Sequence, residues 1–412
     1  MLVQIYPKSC FNDLAVIGGN PAFNVPLHVG RPNIGNRVEF IQRINAVLDS
    51  GWLTNQGGQV AEFERRVAEM TGAKHCVAVC NATIGLGIVA KALGWSGEVI
   101  MPSLTFVATA HAMQWMGLTP RFCDVDPETR TLDAREVERL VTSRTAGILG
   151  VHLWGRPCDV EGLSAVARRY GLGLIFDAAH ALGCSYRGTS IGSFGDAEVF
   201  SFHATKVANS FEGGAITTNN DDLAGRIRLM GNFGFRGMDN VVDLGTNGKM
   251  SEVSAAMGNV SLGSLEGFIA SNRRNYELYR NILATQPGLS IVAFDRSERN
   301  NFHYIVVEID EEQTGLDRDS LLAVLRAENV LARRYFWPGC HKVEPYRSLP
   351  AYAGLRLPVT EQILSRNIVL PTGTAAQEED VIMVCKIIEL AISNAGAVRS
   401  AVCARDPLPV DA

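Results

Sequence analysis

Seven short apolar runs return at intervals between residues 75 and 217, and this recurrence limits what the chain can fold into more than any other feature. They cover residues 75–80, 98–101, 120–125, 146–151, 172–176, 197–202 and 214–217. Stretches with helical spacing of apolar residues separate most of them, at residues 83–93, 105–116, 133–141 and 160–170. Strands that alternate with crossover helices build a mostly parallel, seven-stranded sheet flanked by helices on both faces, an α/β fold. The last two runs lie too close together for a crossover helix, which leaves room for one antiparallel strand.

Around this centre, Val38, Phe40, Ile41, Ile44, Val47 and Leu48 have helical spacing that stops at Gly51, and a second helix spans residues 60–70 and stops at Gly72. The loop between them carries one aromatic residue, Trp52. A single long helix is predicted over residues 251–283. After it, strands at 302–309 and 368–370 and helices at 317–328 and 378–393 predict a smaller C-terminal α/β domain. The expected organisation is an irregular N-terminal segment 1–35 lying over another surface, a large domain 36–270, a small domain 271–395 and a disordered tail 396–412.

The net charge of −5, with no block of like charges, argues against nucleic acid or an anionic membrane surface as partners. No signal peptide and no membrane-spanning run is recognised, so a cytoplasmic location is expected. Nine scattered cysteines without CxxC pairs read as buried thiols, and the eight histidines form no metal-ligand pair, so no metal site is expected.

The chemistry gathers in residues 175–217. Asp177 ends an apolar strand, where a buried carboxylate demands a partner; it is either that or a helix cap. His180 follows three residues later. Ser201 ends the next strand, and Lys206 stands in an almost uncharged setting that favours a nucleophilic amine, unless it is a snorkelling surface lysine. Earlier strand ends add parts. Ala82 and Thr83 open a helix directly after the first strand and can cradle a phosphate or merely cap the helix. Phe106 either lies against a ring or fills the core, and His152 is either a pocket wall or a satisfied structural histidine. Gly85, Gly87 and Ala90 fit GxGxxA, yet lie several residues beyond the strand end, and no ribose-binding acid follows, which disfavours a nicotinamide cofactor. A lysine for a Schiff base, an acid for a ring nitrogen, a phosphate cup and a stacking ring are together what pyridoxal phosphate requires.

The set CNATIGL, PSLTFVATA, HLWG, DAAHALG, FSFHATK with EGGA, and NGKMSE resembles the DegT-type nucleotide-sugar aminotransferases, which have the fold type I architecture of pyridoxal phosphate enzymes. The resemblance runs from about Asn36 to Ser393. It implies that Lys206 carries the cofactor and shuttles a proton, that Asp177 pairs with the pyridine nitrogen, and that His180 sits near the 3′-oxygen. Phe106 would stack on the ring, while Ala82, Thr83 and Ser201 would bind the phosphate. Asn247 and Lys249 resemble the part a neighbouring subunit contributes in a homodimer with shared sites. Tyr335 and His341, in YFWPGCHK, together with Trp52 and His152, are carried over as substrate contacts.

The form NFGF at residues 232–235, with HATK, resembles the subgroup that aminates C4 of dTDP-4-keto-6-deoxyglucose in deoxyaminosugar pathways, with glutamate as the expected donor. Amination at C3 or of another nucleotide sugar is the nearest alternative. A non-catalytic relative and a sugar dehydratase are the others, and Lys206 argues against the latter, in which histidine replaces the lysine.

Overall fold

A computed structural model describes residues 4–404. Seven strands form its central sheet: β1 (His75–Val79), β2 (Glu98–Pro102), β3 (Thr119–Cys123), β4 (Thr145–Val151), β5 (Gly173–Asp177), β6 (Ala197–Ser201) and β7 (Gly214–Thr218). Their spatial order is β1-β7-β6-β5-β4-β2-β3, parallel throughout except for β7, which runs antiparallel to β1 and to β6. The expected single antiparallel strand is therefore present, inserted between two strands that share one direction.

Helices α1 (Arg37–Ser50), α2 (Gly58–Thr71), α3 (Ala82–Ala92), α4 (Val107–Trp115), α5 (Ala134–Leu140), α6 (Val160–Tyr170) and α7 (Asp221–Met230) surround the sheet. Val89, Met113, Leu149 and Ile175 are buried together in one cluster, and Phe63, Phe200 and Leu262 in another. Helix starts follow from local chemistry: Asn81, Asp133, Asp159 and Asn220 each accept an otherwise unpaired N–H of the first turn. Gly51, Gly72 and Gly171 end helices in the left-handed conformation.

The predicted long helix is instead two, α8 (Glu252–Gly263) and α9 (Leu265–Leu283). The break falls at Ser264, whose N–H is shared between the carbonyls of Val260 and Ser261, just after a glycine that weakens the helix. Helix α7, capped by Asn220, adds to the helices expected from the sequence. The strand expected from residue 302 begins only at Ile305, because Phe302 adopts a left-handed φ of 51°.

Strands β8 (Leu289–Ile291), β9 (Ile305–Ile309) and β10 (Asn367–Leu370) form an antiparallel sheet covered by α10 (Arg318–Ala327) and α11 (Glu378–Ser393). The expected disordered tail is helical over Ala395–Cys403, since Val398 buries itself in the same cluster; residues 405–412 lie outside those described. No single described helix is long and apolar enough to cross a membrane.

The N-terminal segment completes this second core: Leu14, Val16, Phe23 and Leu27 pack into it. Buried Glu328 fixes the segment, accepting from the N–H groups of Ala15 and Ala22 and pairing with the Lys8 ammonium at 2.9 Å. Asn33 then stitches three parts together, donating to Val207 O, accepting from Asn209 Nδ2 through its carbonyl and from Thr374 N–H through Oδ1.

Both partners of the Lys8–Glu328 pair are buried, so removing one strands the other charge. Glu328→Ala is expected to cost roughly 3–5 kcal/mol, read by calorimetry as a melting temperature several degrees lower, with the secondary structure retained.

Candidate active site

Strand register assembles the site. Gly214 pairs with Val79 on one side and Ser201 on the other, while Asp177 pairs with Val199 and Val151. The last residues of β1, β5 and β6 therefore stand along one edge, with α3 and α4 starting beside them.

At the β1 end, Asn81 Oδ1 accepts the Ile84 N–H, while the N–H groups of Ala82 and Thr83 open the helix, where no intrahelical acceptor exists. Thr83 is exposed, and Ser201 is half-buried. A side chain at Gly214 would put its Cβ 2.7 Å from the Asn81 carbonyl carbon and 2.8 Å from Ala82 N, so only glycine lets β7 pass this helix start. The result is a cup of outward N–H groups and hydroxyls at a positive helix end, suited to a phosphate.

Asp177 lies deeper. Its Oδ2 accepts from the Thr109 hydroxyl at 2.8 Å and its Oδ1 from Ala179 N–H at 3.0 Å. Burial pushes its pKa up, opposed by those hydrogen bonds and by the charge of Lys206. A carboxylate so placed gains from a cationic N–H partner. His180 accepts the Trp154 N–H through Nδ1, and burial holds its pKa well below the usual value, so the ring is neutral and its proton sits on Nε2. Trp154 adopts a left-handed φ of 56° where it reaches this histidine.

Lys206 stands in a tight turn, its N–H bonded to His203 O, with His303 donating through Nε2 to the carbonyl of the adjacent Thr205 at 2.8 Å. Its side chain keeps some exposed surface, yet desolvation lowers the pKa from 10.5 to about 8, with Asp177 acting in the opposite direction. Phe106 caps α4 at the β2 end with 54% of its surface open, and its ring lies 5.8 Å from that of Phe336. A pocket of about 270 Å³ opens there, lined by Phe106, Tyr335, Trp337, Arg333 and Arg334 among others.

The structure thus gathers Thr83, Phe106, Asp177, His180, Ser201, Lys206 and Tyr335, and it corrects two expectations. His152 touches no pocket: with 0% exposure, its Nε2 meets Glu198 at 2.9 Å and its Nδ1 accepts from Cys158 N–H, so both ring nitrogens are used. His341 is also buried, held by Ser103 Oγ at 2.6 Å and Glu361 at 3.4 Å, and it pins its loop rather than facing a substrate. Trp52 stands exposed on a loop anchored by Glu252 through Gly57 and Gln59 N–H. Asn247 bridges Asn232, and Lys249 Nζ reaches Asn232 Oδ1 at 2.6 Å.

Thr109, Asn301, His303 and Tyr304 went unnoticed in the sequence. Asn301 donates to the carbonyls of His180 and Leu182. The signal was the polar and aromatic cluster NNFHY immediately before the apolar run of β9. Thr109 gave none, as one threonine on an apolar helix.

These residues fit pyridoxal phosphate: a phosphate cup that a Cβ at Gly214 would fill, a buried acid short of a cation, a neutral imidazole N–H donor, an uncovered aromatic face and an amine depressed toward neutrality.

The signature of the DegT/DnrJ/EryC1/StrS aminotransferase family matches residues 35–389. The chain is 34% identical, over 87% of its own length and 97% of the relative's, to the dTDP-4-amino-4,6-dideoxy-D-glucose transaminase of Escherichia coli. It is 35% identical to the GDP-perosamine synthase of Caulobacter vibrioides, over 86% and 95%. Among solved structures, DesI crystallised in the presence of its TDP-sugar product shares 51% identity with a TM-score of 0.91, covering 95% of this chain and 99% of that one.

An amine attacks an aldehyde only when neutral. Lys206, with a pKa of about 8, should take up pyridoxal phosphate at a rate that rises with pH and levels off above that value. A cofactor-free preparation mixed with pyridoxal phosphate and followed by visible absorbance measures it; a rate still climbing through pH 10 would mean an unperturbed lysine.

Proposed function

The chain belongs to the DegT/DnrJ/EryC1/StrS aminotransferase family, whose members work with pyridoxal phosphate, and from that premise we propose that it transfers an amino group from glutamate to C4 of dTDP-4-keto-6-deoxyglucose. The product would be dTDP-4-amino-4,6-dideoxyglucose, a deoxyaminosugar precursor. The 51% identity to a structure crystallised with its TDP-sugar product, over nearly all of both chains, carries the choice of acceptor.

When bound, pyridoxal phosphate supplies an aldehyde that takes up the amino group and a ring that absorbs electrons from the carbon losing its proton. Thr83, the N–H groups of Ala82 and Thr83, and Ser201 would hold its phosphate. Asp177 would hold the ring-nitrogen proton, kept ready by the Thr109 hydroxyl and Ala179 N–H. His180 would donate from Nε2 to the ring oxygen, and Phe106 would cover one face. Lys206 Nζ would take the proton from the donor's α-carbon in the first half-reaction and deliver a proton to the sugar carbon in the second, a double duty that suits a pKa of about 8 near working pH. The Phe106–Tyr335 pocket gives the sugar nucleotide an aromatic and cationic wall.

A homodimer with shared sites is part of the same reading. Val38 and Leu48 on α1, with Met238 and Leu244, leave 60% or more of their surface open, which a second copy would cover. Asn247 and Lys249 would then reach the partner's phosphate site, and Trp52 the partner's substrate. Analytical ultracentrifugation is expected to give twice the chain mass of 44.6 kDa.

Lys206→Ala should abolish turnover and the absorbance of the lysine-bound cofactor, and retained transamination would end this assignment. Incubating the enzyme with glutamate and dTDP-4-keto-6-deoxyglucose, and locating the new amine by NMR, should place it on C4. An amine on C3, or turnover only with a GDP-linked keto-sugar as the Caulobacter relative's name invites, would redirect the substrate while leaving the chemistry intact.

A further inference from the structure

Tyr304 has no part in the roles above, yet it stands within hydrogen-bond distance of the reactive amine. Its hydroxyl lies 3.5 Å from Lys206 Nζ, the amine's one hydrogen-bond partner among the described residues. The ring is buried and fixed from two sides, 4.4 Å from His180 and 6.3 Å from Tyr335, and the preceding residue is tied down through His303 to Thr205. The backbone of Lys206 and the phenol that meets its amine are thus positioned by one short segment.

We propose that Tyr304 is a positioning residue that aims the free amine of Lys206 and helps it hold a proton while that proton passes, within one half-reaction, from the carbon that gives it up to the carbon that receives it. This inference rests on Lys206 being the reacting amine.

The physical reason lies in what surrounds the amine. Asp177 is the one anionic side chain acting on it. His180 and His303 face it as neutral rings, the second with a pKa of about 4, and so contribute no charge. Burial raises the Tyr304 phenol well above its ordinary value and also raises Tyr335, so both are neutral hydroxyls. A neutral phenol donates to a free amine and accepts from an ammonium. The hydrogen bond to the charged form is the stronger of the two. The hydroxyl therefore favours the protonated lysine and works against the desolvation that would strip the proton away. A lysine that takes a proton from one carbon and sets it down on another needs this restraint, because a proton lost to water in between would have to be recaptured before the transfer is complete.

The test uses the full-length, cofactor-free protein. Cyanate labels neutral amines, and the pH dependence of labelling at Lys206, read by peptide mass spectrometry, gives the midpoint of its titration, expected near 8 in the unaltered chain. Tyr304→Phe keeps the ring against His180 and removes only the hydroxyl, and it should lower that midpoint by roughly one pH unit. An unchanged or raised midpoint overturns the proposal. Should the Phe variant fail to fold by circular dichroism, Tyr304→Leu is read the same way. This measurement involves no turnover, so its failure is separate from that of the functional reading, which Lys206→Ala decides.

Discussion

One strand running against its neighbours organises this protein. Because β7 lies antiparallel between β1 and β6, its first residue meets the last residues of both, and Gly214 faces Val79 and Ser201 at once. The absence of a side chain there lets the start of α3 close against the strand, so the groups proposed to bind phosphate, from one helix and one strand end, meet. The turn carrying Lys206 lies in the connection from β6 to β7, so it is held beside the same strand ends. A parallel strand in that position would have sent the connection across the sheet and taken the lysine with it.

The parts legible in the sequence were those whose surroundings are local. Asp177 directly follows an apolar run, Ser201 lies at the end of one and Thr83 opens a helix just beyond another, and in an α/β sheet such positions sit at the edge where ligands bind. Seven strands and most helices were readable for the same reason, from periodicity and caps. What failed needed partners far away in the chain. His152 follows a strand end much as Asp177 forms one, but Glu198, 46 residues on, and the Cys158 N–H occupy both of its ring nitrogens. His341 is claimed by Ser103 across 238 residues. The break at Ser264 lay in a continuous helical pattern, and the helix after residue 394 forms because Val398 finds a core made by other segments. Tyr304 and Thr109 are not legible as site residues, since nothing near them in sequence points to the lysine or the aspartate they contact.

The electrostatics of the site follow from enclosure more than from pairing. Asp177 and Lys206 are both pulled toward neutrality by burial, and each partly restores the other's charge. His180 and His303 have lost theirs. The ground around the amine thus holds little fixed charge of its own, while Arg333 and Arg334 bring cationic groups to the neighbouring pocket.

Glu328 and Asn33 carry a consequence for how the chain reaches this state. Lys8 and the N–H groups of Ala15 and Ala22 find their acceptor more than three hundred residues downstream, and Asn33 waits for Thr374. During synthesis the early segment must stay unattached until almost the whole polypeptide has emerged, with Leu14, Val16 and Phe23 still uncovered. Contacts of such long sequence separation slow folding and lengthen the time during which apolar surface can meet the wrong partner. The segment that joins the lysine's loop to the second core therefore cannot finish docking until Glu328 and Thr374 have emerged, which ties completion of the pocket to late stages of translation.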